Sequence, residues 1–194
     1  WTGDNQSHWA HLQMAIPQIC NLGLSGMPYV GTDIGGFGAD TTKELLCRWI
    51  ELGSLSPFCR NHCSFGNRVQ EPWTFDEETL KIYCKYLKLR YALLPYLYDL
   101  FRQEEESGLP LMRPMVLQYE KDEETRNMNG QFMVGESLLA APVVEQGATR
   151  KMVYLPEGEW YDYWSGEKLE GGQYVIRKAA LDESPLFVKA GSII

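Results

Sequence analysis

The sequence predicts an α/β architecture in which parallel strands carry helices on their outer side, followed by a second domain of antiparallel strands. Two observations carry this reading. Between residues 7 and 107, apolar residues at helical spacing alternate with short apolar runs. Beyond about residue 110, short apolar runs are separated by turn residues instead. With 44% apolar residues among 194, the chain can bury a sizeable core.

The elements follow in order. After Ser7, the residues Leu12, Ala15, Ile16 and Ile19 recur at helical spacing until Gly23, with Asp4 or Ser7 as N-cap and a kink at Pro17. Met27 to Val30 reads as a buried strand delivering the polar loop Gly-Thr-Asp-Ile-Gly-Gly-Phe at 31–37. Thr41 and Glu44 form a capping box for a helix with Leu45, Trp49 and Leu52 on one face, ending at Gly53. Leu55 to Arg60 fits another brief strand. Thr74 and Glu77 make a second capping box ahead of a long helical pattern with Leu80, Tyr83, Cys84, Leu87, Tyr91 and Leu94 on one face. Pro95 divides that pattern and Gly108 ends it; its tyrosines, Tyr96 and Tyr98 included, are expected in the core. In the second domain, Ser137 to Val144, Met152 to Leu155, Tyr174 to Ile176 and Leu186 to Val188 read as strands. The turn signals between them are Pro156-Glu157-Gly158, Ser165-Gly166 and Gly171-Gly172.

Charge and composition exclude several classes of partner. There are 26 acidic against 18 basic residues, a net charge of −8, which argues against nucleic acid or anionic lipid as partner. No apolar run reaches the roughly 18 residues needed to cross a bilayer, and the start lacks the basic-then-apolar pattern of a signal peptide. Five cysteines, an odd number spread through the first half, suggest reduced thiols and a cytoplasmic setting. Cys59, His62 and Cys63 lack the second ligand cluster of a zinc site, so buried or idle thiols are expected and no metal. The glycines at 31–36 match neither the dinucleotide fingerprint nor a P-loop, and no cofactor is implied.

Polar residues crowd the loops after the predicted strands. These are Trp1-Thr2-Gly3-Asp4-Asn5, the glycine-rich loop around Asp33, and Arg60-Asn61-His62. In a strand-helix barrel, loops at the carboxyl ends of successive strands converge on the active site. Taken singly, Asp4 could be a cap, Asp33 a turn residue and His62 a structural histidine. Together with Trp1, Phe37 and Trp73, which flank these loops, they suit a sugar, whose apolar faces pack on aromatic rings. Glycosidases need two carboxyls, and spacing alone pairs Asp4 and Asp33 as acid and nucleophile.

These motifs, with Glu71-Pro72-Trp73 following in order, resemble the C-terminal half of the catalytic barrel of glycoside hydrolase family 31, most of all its α-glucosidases. Leu111-Met112-Arg113-Pro114, Gly135-Glu136-Ser137-Leu138-Leu139-Ala140-Ala141-Pro142 and Tyr154 to Asp162 resemble the β-sandwich domain that follows the barrel. The resemblance therefore implies the end of a (β/α)8 TIM barrel over 1–109 and the beginning of a C-terminal β-sandwich over 110–194. It implies Asp4 as general acid/base, with Trp1 lining the sugar pocket. Asp33 becomes a carboxylate that hydrogen-bonds sugar hydroxyls, Phe37 a pocket wall, and His62 a contact to the innermost sugar with Arg60 supporting it electrostatically. The nucleophilic Asp of the family lies in an earlier motif that does not occur here, which displaces the Asp4–Asp33 pairing.

The implied chemistry is retaining hydrolysis of a terminal α-glucosidic bond, with an α-linked oligosaccharide or glucoside as substrate. Burial of Asp4 beside Trp1 and a nearby nucleophile would supply the raised pKa of an acid. An α-xylosidase or α-glucosyltransferase of the same family, or a noncatalytic carbohydrate-binding domain, remain as alternatives, and the oligomeric state is open. A complete barrel takes roughly 250 residues. The expected partner is therefore the upstream remainder of the same polypeptide, and residues 1–194 alone are expected to be inactive and to fold poorly.

Overall fold

The computed structural model describes all of residues 1–194. Its first helix, α1 (Trp9–Leu24), buries Leu12, Ala15, Ile16 and Ile19 as their spacing requires and continues through Pro17. Its ends differ from expectation. The N-cap is His8, without a side-chain capping bond, because the Ser7 hydroxyl donates instead to the Ala39 carbonyl at 3.0 Å. Gly23 lies within the last turn and does not stop the helix. A Cβ there would press on the Pro110 ring at 2.9 Å, so its role is close packing.

Two short strands, β1 (Asp33–Ile34) and β2 (Arg60–Asn61), pair in parallel with Asp33 opposite Arg60. Both lie later than the apolar runs predicted. Met27 and Tyr29 are exposed, and burial begins at Val30. From there the backbone is bonded on both sides: Phe58 N donates to Val30 O and Thr2 N donates to Gly31 O, each at 3.1 Å. Residues 55–57 form a turn rather than a strand, because the Arg90 guanidinium collects the carbonyls of Ser54, Ser56 and Pro57. A parallel bridge joins Gln6 to Gly38. Residues 1–6, 30–38 and 58–61 thus lie side by side in one direction. Gly31 makes this approach close, since a Cβ there would fall on the Phe58 carbonyl oxygen. Gly31→Ala should lower the thermal midpoint of the full-length protein by several degrees, as expected for a backbone collision costing about 1–3 kcal/mol; an unchanged midpoint would show that the strands can separate without cost.

The helices start one or two residues later than the predicted capping boxes. Helix α2 (Lys43–Gly53) is capped by Thr42, whose hydroxyl accepts from Leu45 N at 3.3 Å. Glu44 turns away and accepts from Gly147 N at 2.7 Å. Helix α3 (Glu77–Ala92) is capped by Asp76, whose carboxylate accepts from Thr79 N at 2.8 Å, while Thr74 sits in a preceding 3₁₀ turn. Its buried face is Thr79, Ile82, Tyr83, Tyr86 and Leu89, which leaves Cys84 and Tyr91 exposed. Helix α4 (Leu94–Ser107) has Pro95 in its first turn and ends at Gly108 with φ 73°. The tyrosine stripe is only partly core: Tyr96 is half-buried and Tyr98 lies on the surface.

The remaining strands are β3 (Met112–Pro114), β4 (Phe132–Val134), β5 (Leu138–Ala140), β6 (Arg150–Leu155), β7 (Glu159–Asp162), β8 (Lys168–Glu170), β9 (Gln173–Lys178) and β10 (Leu186–Lys189). All pairings among them are antiparallel, in a six-stranded sheet of order β3-β4-β5-β10-β7-β8 and a separate β6-β9 ribbon. Strands β5, β6, β9 and β10 overlap the predicted runs. Alternation along β4 and β5 sends Phe132, Val134, Leu138 and Ala140 into the same core as Leu12, Trp49 and Tyr86. Met133 and Leu139 face the other way, onto Val153, Leu155, Trp160 and Phe187. The β4-β5 part of the sheet is therefore buried on both faces, whereas β8 at its edge is exposed at Lys168 and Glu170.

One ion pair rivets the two halves together. Arg48 and Glu51, 2% and 0% exposed, bond to each other at 3.0 Å. Arg48 also donates to the carbonyls of Ala180 (2.9 Å), Ala179 (2.8 Å) and Ala148 (3.2 Å). Burial pushes the Glu51 carboxyl well above the usual carboxylate range, with Arg48 the main opposing charge.

Candidate active site

The site is built where β1 and β2 end. Asp33 is fully buried, and its Oδ1 accepts from Arg60 Nε at 2.7 Å and from Arg60 Nη2. Its Oδ2 is also buried and has no hydrogen-bond partner. One oxygen is thus neutralised and fixed by a guanidinium, while the other stays open as an acceptor. The Arg60 guanidinium lies 5.6 Å from the Trp1 ring centroid and 5.3 Å from that of Phe58. Arg60 therefore braces Asp33, a role the sequence did not suggest for it, because parallel register sets it directly opposite the carboxylate.

Asn5 ties the first segment to this pair. Its side-chain amide donates to the Asp33 carbonyl at 3.0 Å, and its Oδ1 accepts from Phe37 N at 3.1 Å. Gly35 and Gly36, at φ 89° and 94°, make the turn that brings Phe37 round. A Cβ on Gly36 would collide with the Ser7 backbone. The Phe37 ring then lies 5.3 Å from the His62 ring, tilted by 36°.

Direct contacts thus join Trp1 to Arg60, Arg60 to Asp33, and Phe37 to His62. Asp4 differs. Its carboxylate is exposed, as is Trp1 at 56%, so the burial expected beside Trp1 is not present in residues 1–194; the segment 1–6 runs beside 30–38, and no side-chain bond holds Asp4. Beside His62 opens a cleft of about 420 Å³, lined in part by Asn61, Gln70, Glu71 and Trp73. Sequence reasoning assigned no role to Asn5 or Gln70. Their signal was available: each is an uncharged amide adjoining a motif that otherwise supplies carboxylates and aromatics.

No three His, Cys, Asp or Glu side chains gather to hold a metal ion. All five cysteines are unpaired, and burial pushes the thiols of Cys20 and Cys47 up to about 12. No helix is long and apolar enough to cross a membrane.

Over residues 1–100 the sequence matches the family profile described as the glycosyl hydrolases family 31 TIM-barrel domain, and over residues 108–194 the family 31 C-terminal domain. "Alpha-glucosidase 2" of Bacillus thermoamyloliquefaciens is 50% identical over 194 residues, which are 100% of this chain and 25% of that protein. "Alpha-xylosidase" of Saccharolobus solfataricus is 40% identical over 200 residues, covering 100% of this chain and 27% of its own. A family 31 dextranase from Flavobacterium johnsoniae, solved with glucose, has a TM-score of 0.95 at 43% identity, over 100% of this chain and 25% of that one. The chain spans about a quarter of the length of these relatives. Both halves are matched, in order, by the two consecutive domains of one family: the chain belongs to glycoside hydrolase family 31 and comprises part of its TIM barrel followed by its C-terminal antiparallel domain.

Proposed function

We propose that this segment supplies the acid/base and sugar-gripping side of a retaining α-glucosidase site. The observation that carries the reading is the Asp33 carboxylate, with one oxygen locked by Arg60 and the other buried without a partner. A buried acceptor held in place suits a sugar hydroxyl, because an unpaired oxygen at that depth is costly until a donor arrives. With Arg60 neutralising its charge, Asp33 is poorly suited to attack an anomeric carbon. The nucleophile is then a carboxylate of the upstream remainder of the polypeptide.

In this reading, Trp1, Phe37 and His62 wall the sugar, and Asp4 donates a proton to the glycosidic oxygen as the nucleophile's oxygen bonds to the anomeric carbon. The aglycone leaves as an alcohol. Asp4, now a carboxylate, takes a proton from water, whose oxygen attacks the anomeric carbon and expels the nucleophile. Net retention follows from two displacements, for which the two carboxyls should stand about 5–5.5 Å apart. The exposure of Asp4 within residues 1–194 leaves its carboxylate free to reach a substrate, with the rest of the pocket supplied upstream.

The domain division we favour, 1–109 and 110–194, is supported by the end of α4 at Gly108 and the start of β3 at Met112. Five unpaired thiols support a cytoplasmic setting. Substrate is the sharper question, since one relative is an α-xylosidase. The full-length protein should turn over an aryl α-glucoside faster than the matching aryl α-xyloside; faster xyloside cleavage would reassign the substrate.

A further inference from the structure

We propose that Asn61 and Gln70 form an amide clamp that fixes His62 relative to the Asp33–Arg60 pair, which makes Gln70 a positioning residue for sugar binding. The inference rests on the reading that Asp33 and His62 grip the sugar. The parallel ladder between β1 and β2 stops at the Ile34–Asn61 pair. Where a next rung would be, the Gln70 side chain takes over: its Nε2 donates to the Ile34 carbonyl at 3.1 Å and to the His62 carbonyl at 3.4 Å. Asn61 Oδ1 lies 3.3 Å from the same nitrogen, whose two protons are thus shared among three acceptors, and Asn61 Nδ2 donates in return to the Gln70 carbonyl at 3.0 Å. The side chain thus bonds the residue after Asp33 to the residue that is to touch the sugar.

The surroundings favour a fixed amide over a chance contact. Gln70 is 2% exposed, and its Oε1 is buried without a partner. Gly35 leaves room for it, since a Cβ there would come within 3.1 Å of that oxygen. The excursion 62–69 is otherwise held by Ser64 N and Asn67 Nδ2, both donating to the Phe37 carbonyl, at 2.8 and 3.0 Å, and by Arg68 N, which donates to Asp40 Oδ1 at 2.6 Å. These anchors all lie beyond His62, so with the clamp gone the start of the excursion can shift and carry His62 with it. Asp33 would stay in place, because Arg60 holds it independently. The loss should therefore be felt through His62.

The test uses the full-length enzyme and kcat/KM for an aryl α-glucoside, counted per site titrated by a covalent mechanism-based inactivator. Gln70→Met keeps the volume and removes the amide's donor and acceptor. It should lower kcat/KM about 10- to 100-fold, as a small misplacement of a substrate-positioning group does. Asn61→Ala, at an exposed residue, should act in the same direction and serves alone if Gln70→Met does not fold. Combined with His62→Ala, either variant should cost no more than His62→Ala alone, within about threefold. Losses that multiply, or an unchanged kcat/KM per site with only a lower melting temperature, would overturn the clamp. If His62→Ala itself leaves kcat/KM unchanged, the sugar-binding reading fails first and the clamp with it.

Discussion

Asp4→Ala in the full-length enzyme should lower kcat/KM for an unactivated α-glucoside by at least about 10²-fold, the usual contribution of a positioned acid/base. Within residues 1–194 the carboxylate is exposed and makes no side-chain bond, so its removal breaks no contact of this segment, and a melting temperature matching the parent's would separate lost catalysis from lost folding. That separation is what makes the variant informative. With an aryl glucoside whose leaving group needs no proton, formation of the glucosyl intermediate should survive while its hydrolysis stalls. Azide, a nucleophile that needs no general base, should then restore turnover and yield a glucosyl azide. Turnover close to the parent's would favour a noncatalytic, sugar-binding role for this segment.

The largest effect on stability is expected at Arg48, far from the chemistry. Arg48→Met should destabilise the full-length protein by about 3–5 kcal/mol, because it strands the buried Glu51 charge and frees three carbonyls between the barrel helix and the second domain. Replacing Glu51 with leucine in the same protein should recover part of the loss, since an uncharged pair leaves no orphan. The pH dependence has a definite sign. The carboxyl pKa of Glu51 is raised in the folded state, so its contribution favours folding most below the ordinary carboxylate pKa and declines as pH rises. Removing Arg48 raises that pKa further. In urea titrations the gap between variant and parent should therefore widen from about pH 4 to about pH 8. A gap that is constant, or that narrows toward high pH, would mean that Glu51 is not the source of the penalty.

The architecture was legible wherever a pattern repeats. The spacing of Leu12, Ala15, Ile16 and Ile19 located α1, and the change after residue 110 located the antiparallel half. Strand positions in the first half were less legible, since two-residue strands are set by their neighbours and not by their own hydrophobicity. Met27 and Tyr29 are apolar yet exposed, whereas Asp33 is charged and fully buried. Capping boxes misled because Thr42 and Asp76 out-compete the nearby Thr41 and Thr74. In the site, charged and aromatic members stood out in the sequence. The bond from Arg60 to Asp33 did not, because it depends on parallel register across 27 positions. Gln70 was missed for the same reason: its amide acts on residues 36 and 8 positions away.

Strands β4, β5 and β10 form a wall common to two rooms: Phe132, Val134, Leu138, Ala140 and Leu186 support the barrel helices from one face, while Met133, Leu139 and Phe187 line the antiparallel domain from the other. Such a wall couples the two halves in stability, so that a substitution in β4 or β5 is felt on both sides of it.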